Sequence, residues 1–215
     1  MSSSVLVTDF DGTITRRDFY SCVVEKLLAP EDLEPWNLYA AGEITHFEAL
    51  QRIFARIRAD EEALAGVMEA MTIDPALGPE VERMRDAGWE VIIVSNGCQW
   101  YIDRLLARAG LSVAVHSNPG RFDPASGLTM ELPTDSPYFD PEVGISKGAV
   151  VQDHLDRGKT VAFAGDGRPD VDPARRVPPE LRFAREWLAQ HLQKTGRTYR
   201  PYEAWSDVAA MLVPR

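Results

Sequence analysis

The sequence predicts an α/β fold: a parallel sheet covered by helices on both faces, with a small helical insert after the first strand. Three observations lead there. Short runs at residues 5–9, 91–95 and 160–165 are apolar almost throughout, as strands buried on both faces must be. The segments between strands repeat apolar residues every three or four positions, the period of a helix packed by one face. And the first two strand candidates are separated by a long stretch, residues 18–73, whose periodic segments are all helical.

In order along the chain, Val5, Leu6 and Val7 make the first strand, which runs into Asp9. DFYSCVVEKLL then places Phe19, Val23, Val24, Leu27 and Leu28 on one helical face, and Pro30 and Pro35 break this helix from the next. In HFEALQRIFARIR, Phe47, Leu50, Phe54 and Ile57 again step by three and four, and EEALAGVMEAM is a further helix. Pro79 suits the first turn of a helix and Gly88 its end. WEVIIVSNG carries the second strand, a helix covers about 99–109 and is closed by Gly110, and VAVHS is a third strand. Residues 119–144 are rich in Pro and Gly and read as loop with a small hairpin in GRFDPASGLTMEL. ISKGAVVQDHLDRG is a helix, TVAFAGDG a buried strand and LRFA the last strand, and two helices, REWLAQHLQ and EAWSDVAAML, end the chain. The division this implies is a core of residues 1–14 and 79–215 and a helical cap of residues 15–78.

With 215 residues the chain makes one large domain, or a core with a smaller companion. Its formal charge of −10 disfavours general binding to nucleic acid. The two cysteines, Cys22 and Cys98, are far apart and form neither a disulfide framework nor a zinc site of usual spacing. The opening MSSSVLVTDF lacks the basic region and long apolar stretch of a signal peptide, and no apolar run approaches the roughly 18 residues of a membrane span. The expectation is a cytoplasmic protein with no membrane or nucleic-acid partner; nothing signals an oligomeric state.

Parallel sheets bind ligands at the carboxyl ends of their strands, and the chemically useful residues fall there. Asp9 and Asp11 follow the first strand, Ser95 and Asn96 end the second, Asp166 ends the fourth, and Lys147 opens a helix. Three crowded carboxylates, Asp9, Asp11 and Asp166, suit a hard cation; Mg²⁺ binds through few carboxylates together with substrate phosphate. A carboxylate so placed is a credible nucleophile on phosphorus, and a second one two residues on can protonate a leaving oxygen and then deprotonate water. Ser95, Asn96 and Lys147 are the candidates to hold phosphoryl oxygens.

At these residues the chain resembles the haloacid dehalogenase (HAD) superfamily, phosphatase type. Four signatures stand in order: Asp9-Phe10-Asp11-Gly12-Thr13, Ser95-Asn96-Gly97, Lys147, and Gly165-Asp166-Gly167-Arg168-Pro169-Asp170. The resemblance implies a Rossmann-like, HAD-like core with a helical cap of the phosphoserine-phosphatase-like branch. It implies Asp9 as nucleophile and Mg²⁺ ligand, and Asp11 as general acid and base with its main-chain carbonyl on the metal. It implies Asp166 as a metal ligand, with Thr13 and Asp170 in support. Within the branch, HSNPGRFD and the tail with Phe183-Ala184-Arg185 and Tyr199-Arg200-Pro201-Tyr202 resemble methionine-salvage phosphatases and their phosphocholine and phosphoethanolamine phosphatase relatives. The expected function is Mg²⁺-dependent hydrolysis of a small phosphorylated metabolite. Phosphoserine phosphatase, a phosphotransferase, and a catalytically silent phosphate-binding module stay open beside it.

Other polar residues read more simply. Asp18 follows the nucleophile by nine residues, where the family places an acidic residue for substrate, but it suits a helix N-cap equally well. Arg52 and Arg56 are the cap cations available to read a substrate. Trp36 and Trp100 read as packing residues, and the four histidines, which lack metal spacing, as structural.

Overall fold

The computed structural model describes residues 3–214. Six parallel strands form the sheet: β1 (Ser4–Thr8), β2 (Trp89–Cys98), β3 (Ala114–Asn118), β8 (Thr160–Gly165), β9 (Arg182–Ala184) and β10 (Arg200–Pro201), in the spatial order β10-β9-β8-β1-β2-β3. β1 lies at the centre, pairing Leu6 with Val91 on one side and with Ala162 on the other. Two small hairpins, β4–β5 (Gly120–Asp123, Gly127–Met130) and β6–β7 (Phe139–Asp140, Gly144–Ile145), stand outside the sheet.

The all-apolar strands are explained by burial on both faces. Leu6, Ile93, Ala162 and Phe183 point to one side, where they pack with α5 (Leu77–Asp86), α6 (Gln99–Arg108) and α10 (Trp205–Leu212) through Val81, Ile102 and Trp205. Val5, Val7, Ile92 and Phe163 point to the other, against α7 (Lys147–Asp156), α8 (Val171–Arg176) and α9 (Glu186–Lys194) through Val151, Ala174 and Leu188.

Between β1 and α5 lie α1 (Phe19–Leu27), α2 (Glu34–Ala40), α3 (His46–Phe54) and α4 (Glu61–Met71). Their starts are set by side chains: Asp18 accepts from the Ser21 N–H, Thr45 and Glu48 form a reciprocal capping box, and Asp60 accepts from the Ala63 N–H. The two chain crossings into this segment are joined. The Arg16 N–H donates to the Met71 and Thr72 carbonyls, Asp74 N–H donates to Ile14 O, and Thr15 bridges Ile73. The segment also rests on the hairpins, since Phe47 N–H donates to Glu142 O and the Gln51 amide to Met130 O at 2.7 Å.

The predicted elements lie within a few residues of observed ones, but LRFA is not the last strand, since β10 follows it and pairs with β9, and the second hairpin β6–β7 and helix α8 are additions. β2 does not stop at Ser95 but runs to Cys98, with a break in its register against β3 between Val94 and Cys98. Asn96-Gly97, a common turn pair by itself, is here an irregular strand end. Gly97 has a steric reason: a Cβ there would collide with the Tyr101 hydroxyl.

Candidate active site

The carboxyl ends of β1, β2 and β8 meet at one edge of the sheet, and a cavity of about 280 Å³ opens there beneath the helical insert. Asp9 leaves β1 with its N–H bonded to Ala164 O at 2.9 Å, which fixes its backbone against β8. Lys147 is the first residue of α7, whose start is set by Ser146 accepting from the Ala149 N–H. From there its ammonium reaches Asp9 at 2.7 Å and Asp170 at 2.6 Å. A lysine in the first turn opposes the helix dipole; the two carboxylates offset that. Burial alone would lower the Lys147 pKa, but Asp170 and Asp9 overcome it and hold the group above the ordinary lysine range.

The carboxylates are strained electrostatically. Asp9 is raised well above its usual pKa by burial and by the charge of Asp170, with Lys147 pulling the other way. Asp166 is raised to about 7, by burial and then by Asp170. Single oxygens of Asp9, Asp166 and Asp170 lie within 4.8 Å of one another. An all-oxygen donor set this close, with Asp9 and Asp166 both raised, fits a small divalent cation such as Mg²⁺, which would relieve the repulsion that burial enforces. Asp170 is the most committed of the three. One oxygen takes Lys147, and the other accepts the N–H groups of Asp166 and Gly167, both at 2.9 Å. That places it as the residue that aims Lys147 and the Asp166 loop. Thr13 donates to Asp166 at 3.2 Å. Gly12, at φ +71°, lies so close to Asp166 that a Cβ would collide with its carboxylate.

Asp11 is held apart from this cluster. Its Oδ1 accepts the Phe19 N–H at 2.9 Å, and its Oδ2 accepts the Tyr101 hydroxyl at 2.6 Å and Ser95 Oγ at 3.3 Å. Burial pushes it up to about 6, although Tyr101 and Phe19 stabilise its charged form. A carboxyl poised near neutrality is suited to give and take a proton. Ser95 in turn accepts the Gly97 N–H at 3.0 Å.

The remaining expected site residues divide. Asp18 both caps α1 and lines the cavity. Asn96 lines it as well, but its amide donates to the Val143 and Ile145 carbonyls at 3.1 and 2.7 Å, so the side chain ties β2 to the loop before α7 rather than offering donors to an anion. The expectation for Arg52 and Arg56 is corrected: neither lines the cavity. Arg52 is exposed and 4.0 Å from Glu48, and Arg56 donates to the Glu31 carbonyl and pairs with Glu34 at 3.3 Å.

In their place the structure brings Tyr20, Trp36, His46, Leu50, Phe54 and Tyr101 to the cavity wall. The reading of His46 as purely structural and of Trp36 as packing is therefore incomplete. Tyr101 was findable in principle, one half-turn into the helix that follows the Ser95 strand end. The others carry no local signal, because helical periodicity reports which face is apolar and not what it covers. Two tail residues bond to the chain beside the site without lining the cavity. Tyr202 donates to Gly165 O at 3.2 Å beneath Asp166, and Arg185 donates to the Thr15 and Arg16 carbonyls at 3.3 Å, where the chain enters the insert.

Comparison with known proteins agrees with this geometry. The family model described as haloacid dehalogenase-like hydrolase matches residues 6–175. The chain is 23% identical over 207 residues to a 2-hydroxy-3-keto-5-methylthiopentenyl-1-phosphate phosphatase of Bacillus cereus (strain B4264), covering 95% of this chain and 93% of that one. Among solved structures, a HAD family hydrolase from Salmonella enterica subsp. enterica serovar Typhi superposes with a TM-score of 0.72 at 17% identity, over 99% of this chain and 72% of that one. A substrate-bound phosphoserine phosphatase superposes with a TM-score of 0.63 at 12% identity, over 97% of both chains. The architecture is shared with both structures.

Proposed function

The chain belongs to the haloacid dehalogenase-like hydrolase family, and within it we propose an Mg²⁺-dependent phosphatase that hydrolyses a small phosphomonoester through an aspartyl-phosphate on Asp9. The observation that carries this reading is the division of labour between two carboxyl groups two residues apart. Asp9 is bonded to Lys147 at 2.7 Å, while Asp11 is turned away onto Tyr101 and Phe19. A phosphate-binding module has no use for a second, separately poised carboxyl group; a two-step displacement does.

Asp9, Asp166 and the main-chain carbonyl of Asp11 would hold the metal. Bound there, Mg²⁺ supplies charge neutralisation for the crowded carboxylates and for the incoming phosphate. Lys147 and Ser95 are placed to hold phosphoryl oxygens. An Asp9 oxygen then attacks phosphorus, the bond from phosphorus to the alcohol oxygen breaks, and Asp11 gives that oxygen its proton. The ionised Asp11 next takes a proton from water as the water oxygen attacks the same phosphorus, releasing inorganic phosphate and restoring Asp9.

Residues 15–78 act in this reading as a cap over the core. Their two joined crossings form the neck, and their inner wall faces the substrate away from its phosphate. The likeness to the Bacillus cereus phosphatase runs over nearly the whole of both chains and supports a substrate of the methionine-salvage type. The test is direct. Wild type with Mg²⁺ should hydrolyse p-nitrophenyl phosphate, and Asp9→Asn should fall below roughly 1% of that rate with an unchanged circular dichroism spectrum. Retention of more than a few per cent by Asp9→Asn would refute the covalent route.

A further inference from the structure

The cavity has a far half that the chemistry does not use. Its wall is built by the insert, chiefly Asp18, Tyr20, Trp36 and His46. Among the described residues no arginine lines the cavity, and its one lysine, Lys147, is already committed to Asp9 and Asp170. The arginines of the insert lie elsewhere: Arg16 lines a separate cavity, and Arg52 is exposed, 4.0 Å from Glu48. Arg17 pairs with Glu25, Arg56 with Glu34, and Arg58 donates to the Ala55 and Ile57 carbonyls.

In place of cations the wall is aromatic. Trp36 meets Tyr20 edge-on with centroids 5.4 Å apart, and lies 5.4 Å from the His46 ring. Burial, with a contribution from Lys147, pushes His46 down to about 4, so the ring is neutral; its Nδ1 is buried without a hydrogen-bond partner. The one carboxylate on this wall is Asp18, whose oxygens accept from Ser21 N at 2.6 Å and Ser21 Oγ at 2.8 Å.

Resting on the phosphatase reading above, we propose that this wall selects phosphomonoesters whose far end bears no carboxylate. An apolar or neutral polar group fits against Trp36 and His46, and an anionic group is rejected by Asp18 in the absence of any opposing cation. A carboxylate entering there would lose its water, find no cation and meet a like charge. Such a placement reduces efficiency by roughly 10²-fold or more. Selection here works mainly by exclusion, through what the wall withholds.

Two matched pairs of substrates test this in wild type with Mg²⁺. Glycerol 3-phosphate and 3-phosphoglycerate differ by a hydroxymethyl group against a carboxylate; O-phosphoethanolamine and O-phosphoserine differ by the carboxylate alone. In each pair the member without the carboxylate should have the higher kcat/KM by about 10²-fold. Asp18→Asn keeps a capping oxygen for α1 but removes the charge, and should narrow both ratios by about tenfold, the usual scale of one like-charge contact. Equal kcat/KM within the pairs overturns the selection while leaving the phosphatase reading in place. Ratios unmoved by Asp18→Asn overturn the wall as the selecting element. Failure to hydrolyse any phosphomonoester overturns both.

Discussion

Replacing Lys147 by methionine keeps an unbranched stem in the same space and removes one buried charge. In the folded protein that ammonium is 2.7 Å from Asp9 and 2.6 Å from Asp170, and the lysine side chain is only 4% exposed. The two carboxylates fare differently without it. Asp170 keeps the N–H groups of Asp166 and Gly167, whereas Asp9 loses its ammonium partner. Removing one member of a buried charge pair costs about 3–5 kcal/mol, a large part of the 5–15 kcal/mol typical of a whole domain. For a chain of this size that corresponds to a fall in Tm of roughly 6–20 °C. The pH dependence has a definite sign. The Lys147 pKa is raised in the folded state, so its contribution is complete below the ordinary lysine pKa, and wild type keeps it at both pH 5 and pH 8. Asp9 is already raised by burial, and losing Lys147 raises it further. A carboxyl group with a raised folded pKa favours the folded state at low pH and loses that advantage as pH climbs through the folded value. Lys147→Met should therefore be less destabilising at pH 5 than at pH 8, by at least about 1 kcal/mol, the worth of one pKa unit. Urea unfolding of both proteins in chelator at the two pH values measures it. A loss under about 1 kcal/mol at pH 8, or the same loss at both pH values, would refute the reasoning.

Three further outcomes are expected. Asp11→Asn should lower kcat by roughly 10²-fold or more, the usual scale of acid–base assistance, yet leave Mg²⁺ affinity intact by titration calorimetry; a collapse of affinity would show that the Asp11 side chain belongs to the metal. Gly12→Ala should raise the Mg²⁺ concentration needed for half-maximal activity and destabilise by about 1–2 kcal/mol, because φ is +71° and the new Cβ displaces Asp166; an unchanged Mg²⁺ requirement would count against Asp166 as a ligand. Wild type in chelator should lose stability from pH 4 to about 8, since Asp9 and Asp166 both have raised folded pKa values, and Mg²⁺ should reverse the loss; thermal melts that are flat with pH would refute the cation site.

The sequence by itself determined the chemistry-bearing edge of this protein. Strands apolar on both faces could only lie in a covered sheet, so Asp9, Asp11, Ser95 and Asp166, each at or just beyond a strand end, had to gather at one edge. Lys147 followed from its place at a helix start. These are local facts: an apolar run, a terminus, a cap. The wall opposite was decided by tertiary structure alone. Periodicity shows that α1 and α3 each bury one face, but Trp36, His46 and Tyr101 meet around a cavity only because the insert folds back over β2 and α6. The same limit explains Arg52 and Arg56. A surface cation settles on whichever carboxylate or carbonyl the fold brings near, and for these two that is Glu48 and Glu34, away from the cavity. Asp18 lies on the boundary, because its N-cap role is written in the residues that follow it, while its place on the wall depends on where α1 is carried. Hydrogen bonds within a turn need only neighbours in sequence, whereas a binding wall needs elements tens of residues apart to arrive together, and packing decides that.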